Sequence, residues 1–153
     1  MKALAKGRFI PIGDGENRRT LIYDRDVARA AVLAAGHPAA AGKIFNVSDG
    51  QFHTLNEIIE VMCRSLGRRC PHISVPVAPV RFAVGVLEDA ARLFECKFPI
   101  GRATIDKYTE DVAVDSQRIR RELGFVPRYD LVEGWRETVE EMRSTDLRNS
   151  RPG

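Results

Sequence analysis

Two glycines and an arginine are the residues whose types and spacing most directly suggest chemistry. Gly13-Asp14-Gly15 is turn chemistry, because glycine supplies positive-φ positions and aspartate bonds its own backbone. Arg19 follows shortly after, with Arg18 beside it. An arginine held behind a tight turn offers five donors in a rigid planar fork, and that geometry matches a diphosphate bidentately. From these residues alone, a solvated turn arginine is the commoner meaning of the pattern. The glycines do not make a dinucleotide loop of the Gly-x-Gly-x-x-Gly kind: Arg18 stands where the third glycine would fall, and a strand rather than a helix is expected next.

Other chemistries have little support. Tyr23, Tyr108 and Tyr129 are followed four places on by Val27, Val112 and Glu133, so no Tyr-x-x-x-Lys acid–base pair exists in the sequence. In such a pair the lysine lowers the tyrosine pKa so that the phenolate can take a hydroxyl proton. Cys63, Cys70 and Cys96 are odd in number and fit no Cys-x-x-Cys spacing, which reads as free thiols in a reducing compartment. His37, His53 and His72 share no helix-face spacing with one another or with a cysteine, so no zinc site is expected.

The elements that must position these residues alternate between helix and strand. Thr20 to Tyr23 reads as a short strand, followed by a helix from an Asp24 N-cap to about Ala35 with Val27, Ala30, Ala31 and Ala34 inward. Lys43 to Val47 and Ile73 to Val77 read as further strands. Thr54-Leu55-Asn56-Glu57 is a capping box that opens a helix ended by Gly67. Val80 to Phe94 is amphipathic. Asp115-Ser116 caps a short helix closed by Gly124, and Asp130 opens the last one, with Leu131, Trp135, Thr138 or Val139, and Met142 in one stripe and Trp135 expected in the core. The expected organisation is one region over residues 1–143 and a frayed polar tail over 144–153. The class is α/β and helix-rich, with too few strands for a complete doubly wound sheet.

Composition excludes some partners. The chain has 153 residues, 44% hydrophobic and 29% charged, with Lys+Arg 24 against Asp+Glu 21. The net charge of +3 suits an anionic small ligand and is too slight for nucleic acid. The arginine groups Arg64, Arg68, Arg69 and Arg118, Arg120, Arg121 are interleaved with or close to acids and read as solvated faces. No apolar run is long enough to span a membrane, and Met1 to Lys6 lacks a signal core, so a cytoplasmic location is expected.

Gly13, Gly15, Arg19, Asp26, Val27, Ala28 and Ala30 match a pattern "G-x-G-x-x-x-R…V-x-D-V-A-x-A" position for position. Gly42-Lys43-Ile44-Phe45-Asn46-Val47 matches "G-x-x-Y/F-N-V", with Ser48 where a glycine usually follows. Asp115 to Pro127 is similar to "D-x-x-K/R-A-x-x-x-L-G-F-x-P", and Leu131-Val132-Glu133-Gly134-Trp135 to "L-x-E-G-L". In this order and spacing the motifs resemble the NAD-dependent epimerase/dehydratase family, the extended short-chain dehydrogenase/reductases acting on nucleotide sugars, of UDP-glucose 4-epimerase type. The resemblance covers nearly the whole chain and corresponds to the C-terminal, substrate-binding portion.

That resemblance implies a partial sheet from the C-terminal half of a Rossmann-type fold with a small substrate-binding lobe. It implies Arg19 on a nucleotide diphosphate, near the backbone of Pro11, Ile12 and Gly13, with a UDP-sugar as ligand. The family's usual aromatic two places beyond that arginine is Leu21 here. Where some relatives place an arginine and an aspartate on phosphate and ribose, this chain has Asp106-Lys107-Tyr108. Lys107 is then a point charge and Tyr108 a donor, although a plain surface role fits them equally well. The family keeps its cofactor glycines and its Tyr/Lys pair in the preceding half. The chain is therefore expected to be a fragment or truncated product, with no catalytic residue, no cofactor bound by itself and no activity alone, NAD being implied for the complete family member. The competing expectation is a non-enzymatic, epimerase-like module for protein association or homodimerisation.

Overall fold

The structure is a computed structural model, and it describes Leu4, residues 9–71, residues 73–94 and residues 101–149. Helices dominate. A two-stranded antiparallel sheet joins β1 (Arg18–Arg19) to β2 (His53–Thr54), with Arg18 opposite Thr54 and Arg19 opposite His53. Around it lie α1 (Asp24–Gly36), a 3-10 turn (Pro38–Ala40), α2 (Leu55–Leu66), α3 (Val77–Leu93), α4 (Arg102–Thr109), α5 (Gln117–Leu123) and α6 (Leu131–Asn149).

Capping chemistry sets several boundaries. Glu57 N donates to Thr54 Oγ1 (3.1 Å) and Thr54 N to Glu57 Oε2 (3.0 Å), which satisfies two orphan amides at the start of α2. Gly67, at φ 67°, closes that helix in the left-handed region. Glu133 N donates to Asp130 Oδ1 (2.8 Å) at the start of α6. At α5, Gln117 N donates to Asp115 Oδ1 (2.7 Å), while the Ser116 hydroxyl is buried against Ser48 Oγ (2.7 Å) instead of capping.

The strands are shorter than their sequences suggest. Pairing falls on Arg18–Arg19 rather than Thr20–Tyr23, whose polar groups go elsewhere: Thr20 N donates to the Val112 carbonyl and Asp49 N to the Leu21 carbonyl. Lys43 to Val47 runs extended without a ladder among the described residues, and Ile44 is 84% exposed. Of Ile73 to Val77, only Val75 pairs, forming a parallel bridge with Ile12, and Val77 already begins α3. β-branched residues make a segment extended, but a ladder also needs a neighbouring strand.

One buried carboxylate corrects the reading of α1. Its inward face carries Asp26 (0% exposed), Ala30 and the half-buried Leu33, while Val27 and Ala31 are exposed. Asp26 accepts from Arg29 Nη1 (2.5 Å) at one oxygen, and from the backbone amides of Arg128 (2.8 Å) and Tyr129 (3.0 Å) at the other. That carboxylate fastens α1 to the segment leaving α5, and beneath it Ala30, Ile119, Leu123 and Phe125 form a core cluster. A second cluster joins Leu4, Ile59 and Cys63.

Two further expectations change. Trp135 is half-buried at a cleft rather than in the core, and the inward residue of α6 is Val139. The tail expected from residue 144 is helical as far as Asn149, since no glycine or proline interrupts that stretch; residues 150–153 and Cys96 lie outside the described residues. α4 has no clear apolar stripe in sequence. Among the described residues, no helix is long and apolar enough to cross a membrane.

Replacing Asp26 with alanine leaves Arg29 without its partner and two backbone amides without an acceptor. Asp26→Ala is expected to lower the unfolding free energy by about 3 kcal/mol in urea denaturation. Asp26→Asn, which retains one acceptor oxygen, should lose distinctly less.

Candidate functional site

The glycine turn and β1 are fastened to the exit of α4. Asn17 Nδ2 donates to the carbonyls of Tyr108 (3.2 Å) and Glu110 (3.4 Å), Arg18 N to Asp111 Oδ1 (2.5 Å), and Val112 N to the Arg18 carbonyl (2.9 Å). Arg19 lies within this zipper. Its Nη2 donates to the carbonyls of Lys107 (2.9 Å) and Tyr108 (3.0 Å), the last carbonyls of α4. A helix C-terminus carries a partial negative charge, so a guanidinium is favourably placed there.

Pro11, Ile12 and Gly13 pair with the segment at Val75, and Gly13 alone reaches the same helix end. Val75 N donates to the Pro11 carbonyl and Gly13 N to the Val75 carbonyl, both at 2.9 Å. Gly13 adopts φ +88°, and a Cβ there would stand 3.2 Å from Val77 Cγ2 and 3.5 Å from Thr109 Cγ2. Arg19, Gly13, Lys107 and Tyr108 thus meet around the C-terminal turn of α4, from which Lys107 is exposed, whereas Pro11 and Ile12 are paired with Val75. Tyr108 is half-buried, and its hydroxyl is buried without a hydrogen-bond partner among the described residues. Burial pushes the Tyr108 phenol above its ordinary range, while Arg19 draws it back down. An orphaned buried hydroxyl beside a guanidinium is a donor still lacking its acceptor.

The glycine turn differs in construction from a dinucleotide loop. A Cβ on Gly15 would fall 2.0 Å from Asn56 Oδ1, so the Asn56 side chain packs directly on this glycine. The Asn56 amide also donates to the Asp14 carbonyl (2.7 Å), and the turn runs into β1 rather than a helix N-terminus.

A separate cleft of about 370 Å³ was not anticipated. Tyr23, Tyr129 and Trp135 line it together with Leu21, Asp49 and Asp130, and none of the six candidate residues does. The Tyr23 and Tyr129 rings stand 4.6 Å apart and tilted by 51°. Beside it, His53 Nε2 and Asp49 Oδ2 are 2.6 Å apart. The sequence signal for this cleft is spread over three segments.

The model of the NAD dependent epimerase/dehydratase family matches residues 1–48. The chain is 27% identical over 142 residues to a UDP-glucose 4-epimerase of Vibrio cholerae, covering 92% of this chain and 39% of that protein. It is 30% identical over 146 residues to a protein of Sinorhizobium fredii of unassigned function, y4nL, covering 91% and 40%. In fold it is similar to the UDP-glucose 4-epimerase of Thermotoga maritima solved with UDP-glucose, with a TM-score of 0.64, 22% identity, and 94% of this chain and 38% of that one covered. The chain spans about two fifths of the length of the curated relatives it matches. In sequence and in fold the chain is thus similar to members of the epimerase/dehydratase family, the likeness its motifs implied.

Two glycine substitutions test the turn. Gly13→Ala must hold a Cβ at positive φ against Val77 and is expected to cost roughly 1–2 kcal/mol. Gly15→Ala must in addition displace Asn56 and should lower the thermal midpoint further, which differential scanning fluorimetry will read.

Proposed function

We propose that this chain supplies the nucleotide-sugar-binding wall of an epimerase/dehydratase, with Arg19 as the principal ligand of a UDP-sugar diphosphate. The observation that carries the reading is the meeting of Arg19, Gly13, Lys107 and Tyr108 at the end of α4, with Pro11 and Ile12 leading into Gly13. The Arg19 bonds run from Nη2, and the guanidinium has further donors for a phosphate oxygen. Lys107 adds a flexible point charge, and Tyr108 would add a donor on a movement that uncovers its buried hydroxyl. The family match and the UDP-glucose in the Thermotoga maritima relative favour this ligand class.

The oxidoreductive step of such chemistry belongs to NAD and to a tyrosine–lysine pair. No Tyr-x-x-x-Lys and no glycine fingerprint occur in these residues, and Asn56 occupies the turn. We therefore assign the chain binding and orientation of the sugar nucleotide, with no cofactor binding and no turnover by itself. Calorimetric titration with NAD should give no saturable heat; a micromolar isotherm would overturn the assignment.

A second reading, association with another protein or a second copy, is favoured by exposed apolar side chains on and beside α1, among them Val32 (75%), Ile44 (84%) and Val126 (62%). Sedimentation over a concentration series tests it: a concentration-dependent dimer abolished by Ile44→Asp supports it, and a monomer throughout removes it.

For the first reading, a UDP-sugar titration followed by NMR should shift Gly13, Arg19 and Tyr108. Arg19→Ala is expected to weaken binding roughly tenfold to a hundredfold, the equivalent of about 1.5–3 kcal/mol for a charge-assisted contact. Arg18→Ala should leave it unchanged. Equal losses from the two arginines would refute the placement of the diphosphate.

A further inference from the structure

Cys63 and Cys70 form a built pair. Cys63, on the inner face of α2, is 1% exposed and packs with Leu4 and Ile59. Beyond it the chain reverses at Gly67, where Gly67 N donates to the Arg64 carbonyl and Arg68 N to the Cys63 carbonyl. That reversal lays Cys70 back along the helix it has just left. The Cys70 thiol stands 3.8 Å from the Glu60 carbonyl and packs against the Cys63 cluster. The two residues differ in access, since Cys70 is partly exposed and Cys63 is sealed.

We propose that Cys63 and Cys70 are a thiol–disulfide exchange site, with Cys70 as the entry thiol for a small disulfide such as oxidised glutathione and Cys63 as the resolving thiol. The Cys70 thiolate attacks one sulfur of the disulfide, the S–S bond breaks, and one glutathione leaves as thiolate. The Cys63 thiolate then attacks the Cys70 sulfur of the mixed disulfide and expels the second glutathione. In sum, two protein thiols and one glutathione disulfide give one protein disulfide and two glutathiones; the protein loses two hydrogens, and the reagent is reduced by the same two electrons.

Burial and the neighbouring Cys70 thiol push the Cys63 thiol up to about 11, which makes it a scarce thiolate near neutrality. Near pH 8 this leaves a thiolate fraction on the order of one in a thousand. Packing of Cys70 against the Cys63 cluster makes the resolving attack intramolecular, which offsets that scarcity. The resolving step therefore accelerates about tenfold per pH unit below the Cys63 pKa. The disulfide ties the end of α2 to the segment leading to Val75, which holds Pro11 and Gly13. The site does not depend on which sugar nucleotide the chain binds.

The test uses the full chain carrying Cys96→Ser, treated with oxidised glutathione and followed by intact mass and peptide mapping. The expected product has lost two hydrogens, contains a Cys63–Cys70 bridge and forms faster as pH rises. In the same background Cys63→Ala should stop at a stable glutathione adduct on Cys70, and Cys70→Ser should remain unmodified while folded. A lasting adduct on the Cys96→Ser protein would show that Cys63 cannot reach, and would overturn the proposal. Modification of Cys70→Ser at the rate of its parent, or no reaction at Cys70, would equally end it.

Discussion

The Asp26 carboxylate is the interaction on which the helical frame depends. A fully buried acid is costly unless its lone pairs are satisfied, and here two amides and a guanidinium satisfy them. The amides belong to Arg128 and Tyr129, just past the Gly124-Phe125-Val126-Pro127 stretch, so the contact fixes where the chain leaves α5 and enters α6. Arg29 closes the arrangement: it reaches the Val126 carbonyl (3.3 Å) and lies over the Phe125 ring, shielding the carboxylate from water. Two motifs about a hundred residues apart in sequence are thus the two halves of one joint.

Much of the frame was legible because its signals are local. The Thr54/Glu57 box, the Gly67 and Gly124 closures and the Asp130 cap each need only a few neighbouring residues, and each appears at its expected position. The strands failed because pairing is non-local. Nothing in Lys43 to Val47 indicates that no strand would lie beside it. The inward face of α1 was right at Ala30 and Ala34 but wrong at Val27 and Ala31, because hydrophobic periodicity gives an aspartate no credit, whereas Asp26 is the most deeply buried residue of that helix.

The candidate site was legible in composition but not in construction. The motif identified Arg19, and Lys107 and Tyr108 were noted only as departures from a family pattern. That these residues meet depends on α4, a short helix with one buried apolar side chain, Ile105, among those described. Its placement rests largely on polar contacts, including Arg81 Nε to Asp106 Oδ1 (2.7 Å) and the bonds from Asn17 and Arg19. Such contacts involve pairs far apart in sequence and leave no periodic trace. The aromatic cleft escaped for a related reason: Tyr23 on one side and Tyr129 and Trp135 on the other belong to stretches about a hundred residues apart, joined by Asp26 and by the Tyr23 and Arg25 bonds to Glu141.

The sign of the charge at the end of α4 decides what the site can hold. The exposed carbonyls of a helix C-terminus amount to roughly half a negative charge, which by itself repels a phosphate. Arg19 bonds two of those carbonyls and carries a full positive charge, so the helix end and the arginine together remain net positive by roughly half a charge. Lys107, on the last turn of the same helix, adds positive charge, while Asp106 is taken up by Arg81 and Asp111 by the Arg18 amide, leaving Glu110 against it. The guanidinium closes the helix, and under the proposed function it would also face the anion. Lysine in its place would retain the charge but lose the planar fork that can hold carbonyls and an oxyanion together.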